Sequence, residues 1–173
     1  MHKRTIIKSL REIIFSIVPA LLIALFVNTF VTEAAVVEQG PSMQPNLYVG
    51  YRVMTEKVSY RFHEPDRGDI VIAERAGQEV DLVKRIVALP GEIVEVRAGH
   101  VWLNGEQLSE PYIKEFGGTS YGPSRVSDGS VFILGDNRRL SHDSRAFGPV
   151  LRETVNRRVI FIYWPLDEFK IFP

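Results

Sequence analysis

The sequence predicts a mostly β protein entered through one N-terminal transmembrane helix, and three observations carry that prediction. A single uncharged apolar run occupies residues 13–31. Beyond residue 36 no long stretch repeats every 3.6 residues; instead, short runs rich in Val, Ile, Phe and Tyr are bounded by Gly, Pro, Asn and Asp. The hydrophobic fraction, 45% of 173 residues, is that of a folding chain with one core of ordinary size.

Taken in order, residues 1–12 carry Lys3, Arg4, Lys8 and Arg11 ahead of the run IIFSIVPALLIALFVNTFV. A helix rises about 1.5 Å per residue, so about 19 residues nearly span a hydrocarbon core of about 30 Å. Basic residues precede the run and Glu33 and Glu38 follow it. The positive-inside rule therefore predicts residues 1–12 in the cytoplasm and residues 36–173 outside it, tethered to the cell membrane by one pass. A cleaved signal peptide, suggested by Ala34 and Ala35, and a buried core helix are the competing readings. The run exceeds the usual length of a signal-peptide apolar region, and Pro19 and Asn28 are tolerated in a spanning helix. Without residues 1–35 the remainder holds 17 basic and 19 acidic residues, so its contact with the lipid bilayer has to be apolar. Met43, Leu47, Tyr48 and Trp102 are candidates for that contact, although such residues on a β domain are more often core.

The outer domain reads as strands at Tyr51–Met54, Asp69–Ala73, Asp81–Ala88, Ile93–Arg97, Val131–Leu134 and Arg158–Trp164. Turn signals at Arg67-Gly68-Asp69, Pro90-Gly91 and Asp128-Gly129 join them. In IVEVRAGHVWLNGEQL, Asn104-Gly105 separates alternating runs and predicts a hairpin, because both residues accept the positive φ of a type I′ turn. Between that hairpin and Ser130, the Gly-, Ser- and Pro-rich stretch reads as a long surface excursion of a smaller β subdomain, residues 92–130 in all.

Composition excludes several function classes. Lys plus Arg and Asp plus Glu both number 21, which offers no basic field for nucleic acid. The absence of cysteine removes thiol catalysis, disulfides and Cys-based zinc sites. His2, His63, His100 and His142 show no paired ligand spacing, so neither a metal nor another cofactor is expected.

Three clusters bear on chemistry. In Gly40-Pro41-Ser42-Met43-Gln44-Pro45 the serine sits between two prolines on a backbone of restricted φ, as a turn residue or as a presented hydroxyl. In Asp81–Gly91, strand alternation puts Leu82, Lys84 and Ile86 on one face and Val83, Arg85 and Val87 on the other. Lys84 is then either a solvated edge lysine or a desolvated amine whose pKa falls until it can accept a proton. The stretch Gly135–Arg145 is either a solvated connection or a braced loop, in which Ser141, Asp143 and Arg145 could orient a nearby ammonium.

The segments PSMQPNL, GDIVIA, LVKRIVALPGE and GDNRRLSHDSRAFGPV, in that order behind an N-terminal anchor, closely resemble the boxes of bacterial type I signal peptidases. The likeness runs from the anchor to about Val150, and four motifs in order are far more specific than any one of them. The resemblance implies a catalytic β core with a smaller inserted β domain. It implies Ser42 as nucleophile and Lys84 as general base, with Ser141 holding the lysine amine and Asp143 and Arg145 supporting the site. Its substrate class is the secretory pre-protein cleaved after a signal peptide, commonly at an Ala-x-Ala sequence. Two departures bear on the chemistry. Gly40 stands where some members place a hydroxyl, so a side-chain donor to the oxyanion is missing and the Ser42 N–H is left as a candidate. Leu140 replaces the Asn often found before the box serine.

A Ser–Lys pair needs no histidine. Lys84 would take the Ser42 proton during attack, return it to the leaving amine, and then activate water against the acyl-enzyme. The consecutive His142, Asp143 and Ser144 do not read as a triad, since neighbours on an extended chain face opposite ways. An extended substrate could add as a strand beside the residues leading into Lys84. The rivals are another Ser–Lys peptidase, such as a self-cleaving repressor or a pilin-processing enzyme, and a non-catalytic membrane-tethered module. The anchor argues against the repressors and the retained Ser42 and Lys84 against the module.

Overall fold

The computed structural model describes residues 2–38, 40–74 and 81–173, with the side chains of 2–14 and 28 outside the described set. Helix α1 (His2–Phe30) contains Pro19 and leads directly into strand β1 (Thr32–Val36). Its described side chains from Phe15 onward are exposed. Among the described residues no helix is long and apolar enough to cross a membrane. Part of the expected span, residues 13, 14 and 28, and the basic flank Lys3, Arg4, Lys8 and Arg11 have side chains outside the described residues.

After β1 come β2 (Arg52–Glu56), the one-turn α2 (Ser59–Phe62), β3 (Ile70–Ala73) and β4 (Leu82–Ala88). Next are β5 (Ile93–Arg97), β6 (His100–Leu103), β7 (Glu106–Gln107) and β8 (Tyr121–Arg125). The chain ends with β9 (Ser130–Leu134), the short α3 (Ser144–Phe147), β10 (Val150–Leu151), β11 (Val155–Trp164) and β12 (Lys170–Ile171). The described residues form two antiparallel sheets. One runs β1-β2-β11-β3-β4-β9-β10 with β12 added on β11; the other runs β7-β6-β5-β8 and is built from chain lying between β4 and β9. The fold is mostly β, as the run pattern predicts.

The Asn104-Gly105 hairpin forms with Leu103 opposite Glu106, and both turn residues have positive φ, 52° and 91°. A second two-residue turn, Ala98-Gly99, joins β5 to β6 with φ of 48° and 88°. Alanine gives no signal for that left-handed position, which is why the turn is silent in the sequence.

Strands β3 and β9 are buried along their whole length and alternate between cores. Val71, Ala73, Val131 and Ile133 join Ile86 and Val155 on one face of the large sheet. Ile70 and Ile72 face the other way, into a cluster with Met43, Leu47, Val53, Ile162 and Phe172. Phe132 and Leu134 meet Val94, Val96 and Val101 of the small sheet together with Val87, Ala88 and Val126. Each Val, Leu, Ile, Phe or Met side chain among them contributes roughly 1.5–3 kcal/mol when fully buried. The half-buried alternation expected for residues 82–87 is corrected by this packing, because β4 is buried on both faces from Lys84 to Ala88. Met43 and Leu47, named above as candidates for lipid contact, are core residues at 2% and 0% exposure. Trp102 lies partly buried under the Arg97 guanidinium, 4.7 Å from the ring centre, whereas Tyr48 is exposed.

Candidate active site

Lys84 comes from the interior of the large sheet, where β4 lies between β3 and β9 and Lys84 pairs with Val71. It is 4% exposed, which removes the solvated-edge reading. Ser42 lies in a tight turn between β1 and β2. The turn is closed by Gln44 N–H to Pro41 O (3.1 Å) and by Asn46 and Leu47 N–H to Met43 O (both 2.9 Å). Gly40 enters it at φ 67°, a left-handed conformation that favours glycine, and its missing side chain faces open space. Met43 and Leu47 pin the turn to the core. Packing of the turn against β4 brings Lys84 Nζ to 2.9 Å from Ser42 Oγ, and Nζ also donates to Val83 O at 2.9 Å.

Burial lowers the Lys84 pKa from 10.5 to about 8, while the negative charges of Asp143 and Asp136 pull it back up. Both carboxylates are already engaged by guanidinium groups, which limits that pull. Arg145 bonds Asp143 through Nε (2.8 Å) and Nη2 (2.9 Å). Arg85 bonds Asp136 through Nε (2.9 Å) and Nη2 (2.8 Å). Such forked pairs are the strong form of charge-assisted hydrogen bond.

The loop from Gly135 to Asp143 closes the site from the β9 side. Asn137 N–H donates to Ser42 O (2.9 Å), and Gly135 N–H donates to Asp143 Oδ2 (3.0 Å). A methyl group at Gly135 would overlap both Ser141 Oγ and Ser42 O, so a bare Cα is required there for steric reasons. The loop is tied to the small sheet by Arg138, fully buried, whose guanidinium bonds Glu110 and Gly99 O while its Nε donates to Gly135 O (3.1 Å).

Of the residues named from sequence, Ser42 and Lys84 come into direct contact, and Asp143 and Arg145 pair beside them. Ser141 lies next to Gly135, but its buried hydroxyl has no hydrogen-bond partner, so a bond from it to Lys84 is not made in this structure. His142, Asp143 and Ser144 do not converge. The His142 ring meets Phe147 edge-on, Asp143 faces Arg145, and Ser144 Oγ accepts from Ile133 N–H at 3.0 Å. Leu140 is exposed. Asp136, Arg85 and Asn46 escaped the sequence reading as a unit. Asp136-Asn137 after an apolar run and Arg85 beside Lys84 were visible, but nothing in their spacing pairs them.

A groove of about 390 Å³ is lined by residues 33–38, Ile72, Asp81, Val83 and Arg157; Val83 precedes Lys84 in β4, and neither Ser42 nor Lys84 is among the lining residues. Two strand edges border it. The outer edge of β1 is unpaired among the described residues, and β9 pairs with β4 only from Arg85 onward, which leaves Leu82–Lys84 open on that side. Ala35 and Val83 pack on the cluster containing Met43 and Leu47, giving the groove a shallow apolar floor.

The family described as "Signal peptidase, peptidase S26" matches residues 10–164. Among curated proteins, "Probable signal peptidase I-2" of Synechocystis is 40% identical over 87% of this chain and 72% of its own length. "Signal peptidase I" of Leptolyngbya laminosa is 37% identical over 86% and 76%. "Signal peptidase I S" of Bacillus subtilis is 35% identical over 94% of each. A solved signal peptidase I from Enterococcus faecalis V583 is 33% identical, covering 57% of this chain and 97% of that chain at a TM-score of 0.49.

Proposed function

This chain belongs to the signal peptidase family, peptidase S26, and from that membership we propose that it removes signal peptides from secretory pre-proteins by Ser42 attack, with Lys84 as general base. The observation that carries the dyad is the 2.9 Å contact between Ser42 Oγ and a Lys84 amine buried enough to lower its pKa to about 8. At that value an appreciable fraction of the amine is neutral near neutral pH, and across the same distance the neutral nitrogen accepts the hydroxyl proton. Attack on the scissile carbonyl gives an acyl-enzyme, the proton passes to the leaving amine, and Lys84 then activates water. Ser42 N–H has no acceptor among the described residues and is free to donate to the oxyanion. Asp143 and Arg145 brace the loop as a neutral pair, and Ser141 Oγ, buried without a partner, is poised to turn towards the lysine amine when it charges.

The substrate enters as an extended strand in the groove, hydrogen-bonded between the free edges of β1 and Leu82–Lys84. The shallow floor against Ala35 and Val83 suits Ala-x-Ala and rejects bulky side chains by overlap. The run at residues 13–31 anchors the protein in the cell membrane with residues 1–12 cytoplasmic. The catalytic domain, with its inserted β subdomain at residues 92–130, lies outside the cytoplasm. What supports this is the uncharged run with basic residues before it.

The test is cleavage of a pre-protein carrying an Ala-x-Ala site by detergent-solubilised wild type, Ser42→Ala and Lys84→Ala, with the membrane fraction extracted at alkaline pH. Wild type should cut after the second Ala, both variants should fall to background, and the acid limb of kcat/KM should lie near 8. Cleavage by either variant removes the dyad, and release of the protein by alkaline extraction removes the anchor.

A further inference from the structure

Asn46 sits four residues after Ser42 and carries three side-chain hydrogen bonds. Its Nδ2 donates to Asp136 Oδ2 (2.8 Å) and to Tyr112 O (2.9 Å), and its Oδ1 accepts from Lys170 Nζ (3.2 Å). Both N–H groups of the amide are therefore spent on acceptors, and its oxygen faces an ammonium. A flipped amide would set oxygen against a carboxylate and a carbonyl, and its N–H groups against a cation. One orientation alone satisfies the three neighbours.

Each neighbour leads back to the reacting pair. Asp136 is held by Arg85, the residue after Lys84, whose guanidinium also lies 4.1 Å over the Tyr112 ring. Asn137, the residue after Asp136, donates its N–H to Ser42 O. Because the Ser42 turn is closed by its own backbone bonds, fixing Asn46 fixes the turn as a body. Lys170 belongs to β12, beyond the last residue of the family match at 164, and Phe172 of the same segment packs in the cluster that holds Met43 and Leu47.

We propose that Asn46 is a positioning residue that holds the Ser42 turn in register with Lys84, and that Lys170 of the C-terminal strand orients its amide. The proposal rests on the Ser42–Lys84 reading. Loosening the turn has two effects: Ser42 Oγ moves off its 2.9 Å contact, and water reaches Lys84. The charged groups around Lys84 are Asp143 with Arg145 from the loop after β9, Asp136 from the same loop, and Arg85 on its own strand. With those pairs kept, hydration of the amine raises its pKa and moves the acid limb of activity to higher pH.

The experiment measures full-length detergent-solubilised enzyme, with the burst amplitude of a slowly deacylating ester substrate counting competent sites. For Asn46→Ala, kcat per competent site should fall about tenfold to a hundredfold with KM held within about threefold, and the acid limb should move up. Lys170→Ala should act in the same direction by about two- to fivefold, and Lys170→Arg, which still donates to Oδ1, should restore most of the rate. Lys170 is exposed, so its variants report even if Asn46→Ala fails to fold. Unchanged kcat per site and an unmoved acid limb in Asn46→Ala, or in Lys170→Ala where Asn46→Ala does not fold, overturn the proposal. Ser42→Ala and Lys84→Ala run alongside. If they retain activity the dyad itself falls and this proposal with it; if they are inactive while Asn46→Ala and Lys170→Ala match wild type, only the positioning role falls.

Discussion

The burial that suits Lys84 to the proposed role of general base costs stability. The residue's folded pKa of about 8 lies below the 10.5 of the free side chain, so between those values the unfolded chain binds more protons than the folded one. Stability from this residue therefore rises with pH across about 8 to 10.5, and below about 8 the full cost of burying the ammonium is present. Lys84→Met keeps the volume and removes the charge. It should abolish cleavage, stabilise the protein at pH 7 by about 2–4 kcal/mol, and lose the difference from wild type as the pH approaches 10.5. Paired denaturant melts of the two proteins between pH 7 and 10.5 measure this; a variant no more stable than wild type at pH 7 contradicts the desolvated amine. The proposed pair, Ser42 and Lys84, was legible in the sequence as a candidate because both residues sit in ordered motifs. Asn46 and Asp136 were not, because the partner of an amide or carboxylate 90 residues away is decided by tertiary packing.

The loop from Gly135 to Asp143 has no strand partner and is held by side chains together with the backbone bond from Asn137 N–H to Ser42 O. Arg138 and Glu110 are both nearly inaccessible, and Arg138, held by this pair, also bonds Gly99 O in the β5–β6 turn, which ties the loop to the small sheet. Glu110→Gln leaves the buried guanidinium without a counter-charge, and breaking such a pair from one side costs about 3–5 kcal/mol. The urea midpoint should fall accordingly, with cleavage at low denaturant reduced because Gly135 O loses a fixed donor. The exposed Arg97–Glu95 pair is the control, and Glu95→Gln should leave the midpoint where it is. Legibility at this scale follows the range of the pairing. The Asn104-Gly105 hairpin closes within its own residues and was predictable, as were the apolar runs of β3, β4, β5 and β9. Strand β1, directly after the apolar helix, and β8, with Gly122-Pro123 inside it, carry no local strand signal and exist because β2 and β5 offer them an edge.

In the molecule as a whole, β11 is the member that joins the parts. It lies between β2, which follows the Ser42 turn, and β3, which pairs with the Lys84 strand. The general β character was visible in composition and runs, but this order was not, since β11 comes near the end of the chain and the two strands it bridges come from its first half. Without residues 155–164 the Ser42 and Lys84 sides of the large sheet share no ladder of backbone hydrogen bonds. A chain that holds Ser42 and Lys84 but lacks β11 is therefore expected to be inactive. A chain stopped at residue 154 should cut no pre-protein, and residues 155–173 added as a separate peptide should recover part of the activity in the same assay. Full activity of the shortened chain would show that the halves find each other without the bridging strand. Residues 155–164 thus act as a keystone: without them the two arms they separate have no backbone seam in common.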